Sequence, residues 1–132
     1  MHQYIKKKIL ITGGRGFIGS QLSNFFSFID CTLTIIDNSK STWLPLGDTA
    51  QIIFEKIDLT NEKSVKTTKV FDNCDFIFHL ASKEINYKRK FEDDFKINAL
   101  ATYHILDKCK KIIWLNNILY YVVILFLIID HT

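Results

Sequence analysis

Short apolar runs alternate along this chain with longer segments in which apolar side chains recur every three or four residues. A short run rich in apolar and β-branched residues is typical of a parallel strand that is buried on both faces. The sequence predicts five such strands, at Ile9–Thr12, Leu33–Ile36, Ile52–Ile57, Asp75–Leu80 and Ile112–Leu115.

Helical patterns lie between these strands. One segment carries apolar residues at spacings of four, three and four, which predicts a helix with one apolar face. These residues are Ile18, Leu22, Phe25 and Ile29. A further helix is predicted from about Phe91 to Cys109, and Thr60–Lys63 suits a helix cap and first turn. Alternating strands and helices predict an α/β fold with a doubly wound parallel sheet, which binds ligands at the carboxyl ends of its strands.

The size, charge and cysteine content of the chain argue against several classes of protein. A chain of 132 residues is the size of one domain, and 17 basic against 14 acidic residues give a net charge of +3, too small to indicate a nucleic-acid surface. Cys31, Cys74 and Cys109 are odd in number and widely spaced, so neither a disulfide framework nor a metal site is predicted. The first apolar run ends at Gly13, too early for a signal peptide, and we expect a cytoplasmic location.

The first predicted strand runs into three glycines, Gly13, Gly16 and Gly19, and then into the first helix. Glycines allow the backbone to approach a pyrophosphate closely, and the amides at a helix N-terminus attract negative charge. Asp37 follows the second strand, about 20 residues later, where a dinucleotide fold places the carboxylate that binds ribose hydroxyls. The pattern therefore predicts a dinucleotide site.

An ordered set of motifs makes this interpretation specific. Residues 12–19 read TGGRGFIG, and Asp37-Asn38, Asp58-Leu59, His79-Leu80-Ala81 and Asn98 follow in that order. The chain resembles the N-terminal portion of the NAD-dependent epimerase/dehydratase family, the extended short-chain dehydrogenases/reductases, over about residues 8–115. The resemblance implies a Rossmann-like sheet of strand order 3-2-1-4-5 that is truncated after about the fifth strand.

The resemblance also implies a set of cofactor contacts. The residues expected to bind NAD are Gly13, Gly16, Phe17, Ile18, Gly19, Asp37, Asn38, Asp58, Leu59, Leu80, Ala81, Ser82 and Asn98. The charge of Asp37 would repel a 2′-phosphate, so NADP is expected less than NAD. By the family pattern, Asp58 lies near the adenine amino group, Leu59 packs on the ring, and Asn98 hydrogen-bonds to neighbouring backbone.

Structural alternatives stay open for several of these residues. Asp37 suits a turn, Asp58 a helix cap and Asn98 an ordinary polar position on a helix. Arg15 either adds charge near a phosphate or is an exposed loop residue. His79 resembles a family histidine of structural role and is not assigned to catalysis.

Catalysis in the family requires a tyrosine with a lysine four residues later, because a nearby cation is needed to stabilise the phenolate at neutral pH. No lysine follows Lys111, so neither Tyr120 nor Tyr121 has that partner. Asn116-Asn117 stand where the family has a Ser/Thr pair. We assign no catalytic residue, and whether the chain is an enzyme stays open.

The C-terminal part has no charge between Ile112 and Ile129. We divide the chain into a partial Rossmann domain at residues 1–117 and an apolar tail at 118–132. The tail is an aberrant extension, an element packed on the sheet or on a partner, or a membrane anchor; the anchor is disfavoured because Ile112–Leu115 is needed as a strand.

These features predict the NAD-binding portion of a sugar-nucleotide epimerase/dehydratase-like protein that is catalytically incomplete alone. Two alternatives remain. The chain is an interaction or membrane-associated protein that self-associates or binds a companion chain through residues 118–129, or it is an enzyme half completed in trans.

Overall fold

Five parallel strands form one sheet in the computed structural model, which describes residues 6–83, 88, 90–116 and 121–124. The strands are β1 (Lys7–Thr12), β2 (Cys31–Ile36), β3 (Gln51–Glu55), β4 (Phe76–His79) and β5 (Tyr121–Ile124). Their order is β3-β2-β1-β4-β5, and every neighbouring pair is parallel. The predicted doubly wound α/β sheet is therefore confirmed, and its strand order is the expected one.

Helices connect most of these strands. Helix α1 (Phe17–Ser27) follows β1, and α2 (Glu62–Thr67) lies between β3 and β4. Helix α3 (Phe91–Phe95) continues through a π-helical turn (Lys96–Leu100) into α4 (Ala101–Asn116), which leads to β5. Residues 37–50, here called the β2–β3 segment, contain no helix. The predicted cap before α2 is confirmed, because the Asn61 side chain accepts a hydrogen bond of 3.0 Å from the Ser64 amide.

The predicted position of the fifth strand was wrong. Residues 112–115 belong to α4, and the strand that pairs with β4 is Tyr121–Ile124. A run of four apolar residues fits a strand or a buried helical segment equally well, and nothing before Asn116-Asn117 interrupts the helix. The fifth strand thus lies C-terminal to residue 117, where we placed the boundary between the partial Rossmann domain and the apolar tail. That boundary stays a prediction. Residues 117–120 and 125–132 of the proposed tail lie outside the described residues.

The core lies on both faces of the sheet, since alternate residues of each strand point in opposite directions. Leu10 packs with residues of α2 and α4, whereas Ile9 and Ile11 face α1. All three side chains are at most 5% exposed. Burial on both faces explains why Ile9, Leu10 and Ile11 form a continuous apolar run in β1.

The fully buried residues of helix α1 are small; of the predicted apolar face, Leu22 packs against the core, whereas Phe25 and Ile29 are exposed. Gly19, Ser23 and Ser27 are its buried residues, whereas Phe25 is 61% exposed. Small side chains allow the helix to approach the sheet closely, and the Ser23 hydroxyl donates a hydrogen bond of 3.2 Å to the Gly14 carbonyl. Close packing of α1 therefore fixes the glycine loop that precedes it.

None of the helices in the described part of the chain combines the length and the apolar character needed to cross a bilayer.

Candidate dinucleotide-binding site

The loop between β1 and α1 is a tight turn that ends at the N-terminus of the helix. Gly13 has a φ of +68°, and its amide donates a hydrogen bond of 2.8 Å to the Ile36 carbonyl at the end of β2. Gly16 is the N-cap of α1 and supplies no side-chain acceptor. The first-turn amides of α1 are therefore left for another acceptor, and a helix N-terminus of this kind suits a phosphate.

The glycines of this loop serve different purposes. A Cβ atom at Gly13 would lie 2.7 Å from the Ala81 amide nitrogen, and one at Gly19 would collide with the Gly13 carbonyl oxygen. At Gly16 the nearest atom would be the Gly13 oxygen, at 3.2 Å. Gly13 and Gly19 are thus required for close backbone packing, whereas Gly16 is exposed and a Cβ there would meet only the Gly13 oxygen.

Asp37 is held at the edge of this loop. Its Oδ2 accepts a hydrogen bond of 2.8 Å from the Arg15 amide, and its Oδ1 accepts one of 2.8 Å from the Ser39 amide. The contact with Ser39 is the turn that the sequence suggested, but the contact with Arg15 spans 22 residues and joins β2 to the glycine loop. Asp37 and the glycine loop are therefore fixed side by side.

Two contacts hold the Arg15 side chain. Its guanidinium carbon lies 4.4 Å from the centre of the Phe54 ring, and its Nε donates a hydrogen bond of 3.3 Å to the Trp43 carbonyl. The side chain thus connects the glycine loop to β3 and to the β2–β3 segment. Sequence reasoning missed Phe54 and Trp43, because neither belongs to a motif.

Asp58 and Leu59 follow β3. The Asp58 Oδ1 accepts hydrogen bonds from the Thr60 amide at 3.0 Å and from the Thr60 hydroxyl at 2.6 Å, so Asp58 forms a turn and Asn61 caps α2. The Leu59 side chain is 3% exposed and packs in the core. The buried Leu59 side chain is therefore not available to pack on an adenine ring, which corrects that expectation.

A buried hydrogen-bonded chain runs from β1 through β4 to α4. The distance from Thr12 Oγ1 to His79 Nδ1 is 2.6 Å, and that from His79 Nε2 to Thr102 Oγ1 is 2.9 Å. The Thr102 hydroxyl donates to the Asn98 carbonyl, and Thr12 Oγ1 accepts from the Ala81 amide. We call Thr12, His79, Thr102 and Asn98 the buried relay. Both nitrogens of His79 are engaged, which fits a structural role for this histidine.

Asn98 holds the segment after β4. Its Oδ1 accepts a hydrogen bond of 2.8 Å from the Lys83 amide, and its Nδ2 donates one of 2.9 Å to the Lys83 carbonyl. The predicted bonding of Asn98 to neighbouring backbone is present in this geometry. Asn98 lies in the π-helical turn, a distortion that the sequence did not reveal and that is frequent at functional sites.

The other residues predicted to bind the cofactor surround the same edge of the sheet. Phe17 is 90% exposed, and Asn38 and Ser82 are exposed as well. Ile18, Leu80 and Ala81 are half-buried. The structure therefore brings the ends of β1, β2 and β4 together around the glycine loop, with Asp58 at the end of β3 beside them.

Burial lowers the pKa of the His79 imidazole from 6.5 to about 4. Between these values the unfolded chain binds the extra proton and the native protein does not. The contribution of the neutral His79 side chain to the free energy of unfolding is therefore fully present above pH 6.5 and falls as the pH drops towards 4. The expected loss between pH 7.5 and pH 5 is about 2 kcal/mol. Urea unfolding of the wild type and of His79→Gln at both pH values measures this pH-dependent contribution of His79. We expect the variant to be less stable at pH 7.5 and to lose less stability on acidification; an equal loss in both proteins would contradict the assignment.

Comparison with known proteins decides the family. Residues 9–121 match the sequence model of the NAD dependent epimerase/dehydratase family. The chain belongs to this family. UDP-glucuronic acid decarboxylase 1 of Danio rerio is 31% identical over 109 residues, which cover 81% of this chain and 25% of that protein. The chain thus spans about a quarter of the length of this relative.

Solved structures of the family agree in fold. An epimerase from the thermophilic methanogen Methanothermobacter thermautotrophicus matches with a TM-score of 0.68 and 29% identity, over 83% of this chain and 33% of that one. MoeE5 in complex with UDP-glucuronic acid and NAD matches with a TM-score of 0.64 and 26% identity, over 79% of this chain and 33% of that one. This member of the NAD dependent epimerase/dehydratase family therefore has the Rossmann-like fold of proteins that bind NAD.

Proposed function

We propose that this chain is the NAD-binding portion of a sugar-nucleotide epimerase/dehydratase-like protein. The hydrogen bond from the Arg15 amide to Asp37 Oδ2 carries the proposal, because it fixes the ribose carboxylate beside the phosphate cradle. The Gly13 amide is already bonded to the Ile36 carbonyl, so we assign pyrophosphate binding to the amides around Gly16 and at the start of α1. When bound, NAD would accept a hydride from the substrate sugar and return it.

We propose NAD in preference to NADP. The adenosine ribose of NAD has two hydroxyl groups that donate to a carboxylate, whereas the 2′-phosphate of NADP would meet the negative charge of Asp37. The Ser39 amide keeps the second carboxylate oxygen directed along the same edge. The complex of MoeE5 with NAD is in keeping with this choice.

The substrate class that we propose is a sugar nucleotide. The decarboxylase from Danio rerio and the complex of MoeE5 are both named for UDP-glucuronic acid. In this chain the polypeptide after Lys111 contains no lysine, so it cannot form the tyrosine–lysine pair that catalysis in the family requires. We propose that residues beyond these 132, in the same or a companion polypeptide, supply that pair.

An exposed apolar stripe supports the proposal that a companion polypeptide binds this chain. Phe91, Phe95, Tyr103 and Leu106 lie on α3 and α4 and are between 42% and 80% exposed. Burial of such a stripe against further protein is favourable. Self-association or binding of a companion chain through residues 118–129 stays a prediction. Of that segment, the structure describes only β5. Three free, buried cysteines are in keeping with the cytoplasmic location that we propose.

Titration of the purified chain with NADH tests the cofactor assignment. We expect a saturable change in NADH fluorescence with one site per chain, because the residues that hold the glycine loop and Asp37 together all belong to this chain. We also expect no turnover of UDP-glucuronic acid or UDP-glucose in the presence of NAD. Unsaturable binding to folded protein would contradict the cofactor assignment, and turnover by the chain alone would contradict its catalytic incompleteness.

A further inference from the structure

The space beside Asp37 contains a cation as well as a carboxylate. A cleft of about 120 Å³ is lined by Arg15, Asp37, Phe54, Lys56 and three further residues at the ends of β2 and β3. The amide of Arg15 is bonded directly to the Asp37 carboxylate, so the Arg15 side chain begins next to the proposed ribose site. The position of its guanidinium therefore contributes to the charge that a bound ribose meets, together with Glu55 and Lys56, which line the same cleft.

Two contacts engage this guanidinium. Its carbon lies 4.4 Å from the centre of the Phe54 ring, and its Nε donates a hydrogen bond of 3.3 Å to the Trp43 carbonyl. Phe54 is the partner of Ile35 in the register between β3 and β2. This register places Phe54 beside the C-terminal end of β2. The ring is 36% exposed, so it is partly open to solvent and available for stacking.

We propose that Phe54 sets the cofactor selectivity of this site by holding Arg15 away from the ribose 2′ position. This inference rests on the proposed function, since it requires a ribose at Asp37. An arginine guanidinium binds a phosphate through paired hydrogen bonds, and a free Arg15 would offset the repulsion between Asp37 and a 2′-phosphate. While Arg15 is stacked on Phe54, its guanidinium does not bind a 2′-phosphate, and the repulsion from Asp37 is not offset. The site therefore favours the dinucleotide with a free 2′-hydroxyl.

The experiment measures dissociation constants for NADH and NADPH in the full chain. Phe54→Leu removes the aromatic face and keeps an apolar side chain at a partly exposed position. Because a cation–π contact at such a position changes an equilibrium by a factor of about two to five, we expect the preference for NADH over NADPH to fall about two- to fivefold in this variant. Most of the change should be tighter binding of NADPH.

Two further substitutions identify the responsible cation. Adding Arg15→Met to Phe54→Leu should restore the wild-type ratio, because the guanidinium freed by the first substitution is then missing. Adding Lys56→Met to Phe54→Leu should retain the altered ratio, although Lys56 lines the same cleft. An unchanged ratio in Phe54→Leu would overturn the inference, and so would loss of the effect with Lys56→Met in place of Arg15→Met.

The outcomes for the two proposals are distinct. Saturable binding of NADH with a ratio that does not respond to Phe54→Leu overturns the role of Phe54 and leaves the NAD site standing. Failure of the folded wild type to bind either nucleotide overturns both. Circular dichroism of each variant establishes that the fold is retained, and the Arg15→Met single variant shows how much of the ratio depends on Arg15 when Phe54 is present.

Discussion

Valine at position 16 is expected to abolish saturable NADH binding while the protein stays folded. Gly16 has an extended backbone with φ −73° and ψ −179°, which valine adopts readily, and the nearest atom to a new Cβ is the Gly13 oxygen at 3.2 Å. The branched side chain would then fill the space in front of the α1 amides where we place the pyrophosphate. We expect at least about a tenfold loss of affinity, equivalent to about 1.4 kcal/mol.

Fluorescence titration and urea unfolding of Gly16→Val separate binding from stability. Thr49→Val is the matched control, since it introduces the same side chain at an exposed position outside the site. Its affinity for NADH should equal that of the wild type. Unimpaired binding by Gly16→Val would show that the pyrophosphate does not lie in front of α1.

Alanine at position 19 should destabilise the fold, although alanine is the better helix former. Within an exposed helix Gly→Ala stabilises by up to about 1 kcal/mol. Here a Cβ at Gly19 would collide with the Gly13 carbonyl oxygen and lie 2.8 Å from its carbon. These are backbone atoms that cannot move without displacing the Gly13–Ala81 contact, so we expect a net loss of about 2 kcal/mol in the free energy of unfolding.

Gly16→Ala is the control for this effect because it adds the same methyl group three residues earlier in the same loop. Its added Cβ meets the Gly13 oxygen at 3.2 Å, so its free energy of unfolding should lie within about 1 kcal/mol of the wild-type value. Chemical denaturation of both variants gives the difference. Equal stabilities would mean that α1 moves away from the glycine loop at little cost.

The sequence predicted the parts of the site that depend on local patterns. The apolar runs at β1 to β4 end where the chain turns polar, and the glycine loop follows β1 directly, so the edge at which we propose that the cofactor binds could be located. The bonding of Asn98 to backbone followed from the family resemblance. These features depend on residues that are close in sequence or belong to a motif.

The features that were missed depend on contacts between elements. Phe54 meets Arg15 only because β3 pairs with β2 in a register that places Ile35 beside Phe54. The buried face of α1 consists of Gly19 and two serines, and a search for apolar periodicity passes over such residues. The fifth strand was placed too early because a run of four apolar residues fits a strand or a helix equally well, and residues 112–115 continue α4.

The buried relay also bears on the order in which the protein folds. Thr12 and His79 are 67 residues apart, His79 and Thr102 are 23 apart, and Asn98 holds Lys83 from 15 residues away. Contacts of such separation require large loops to close, which slows their formation. We therefore expect the glycine loop, although it is synthesised before α4, to reach its final geometry only once α4 has docked. The proposed cofactor site would then be among the last parts of the chain to become native.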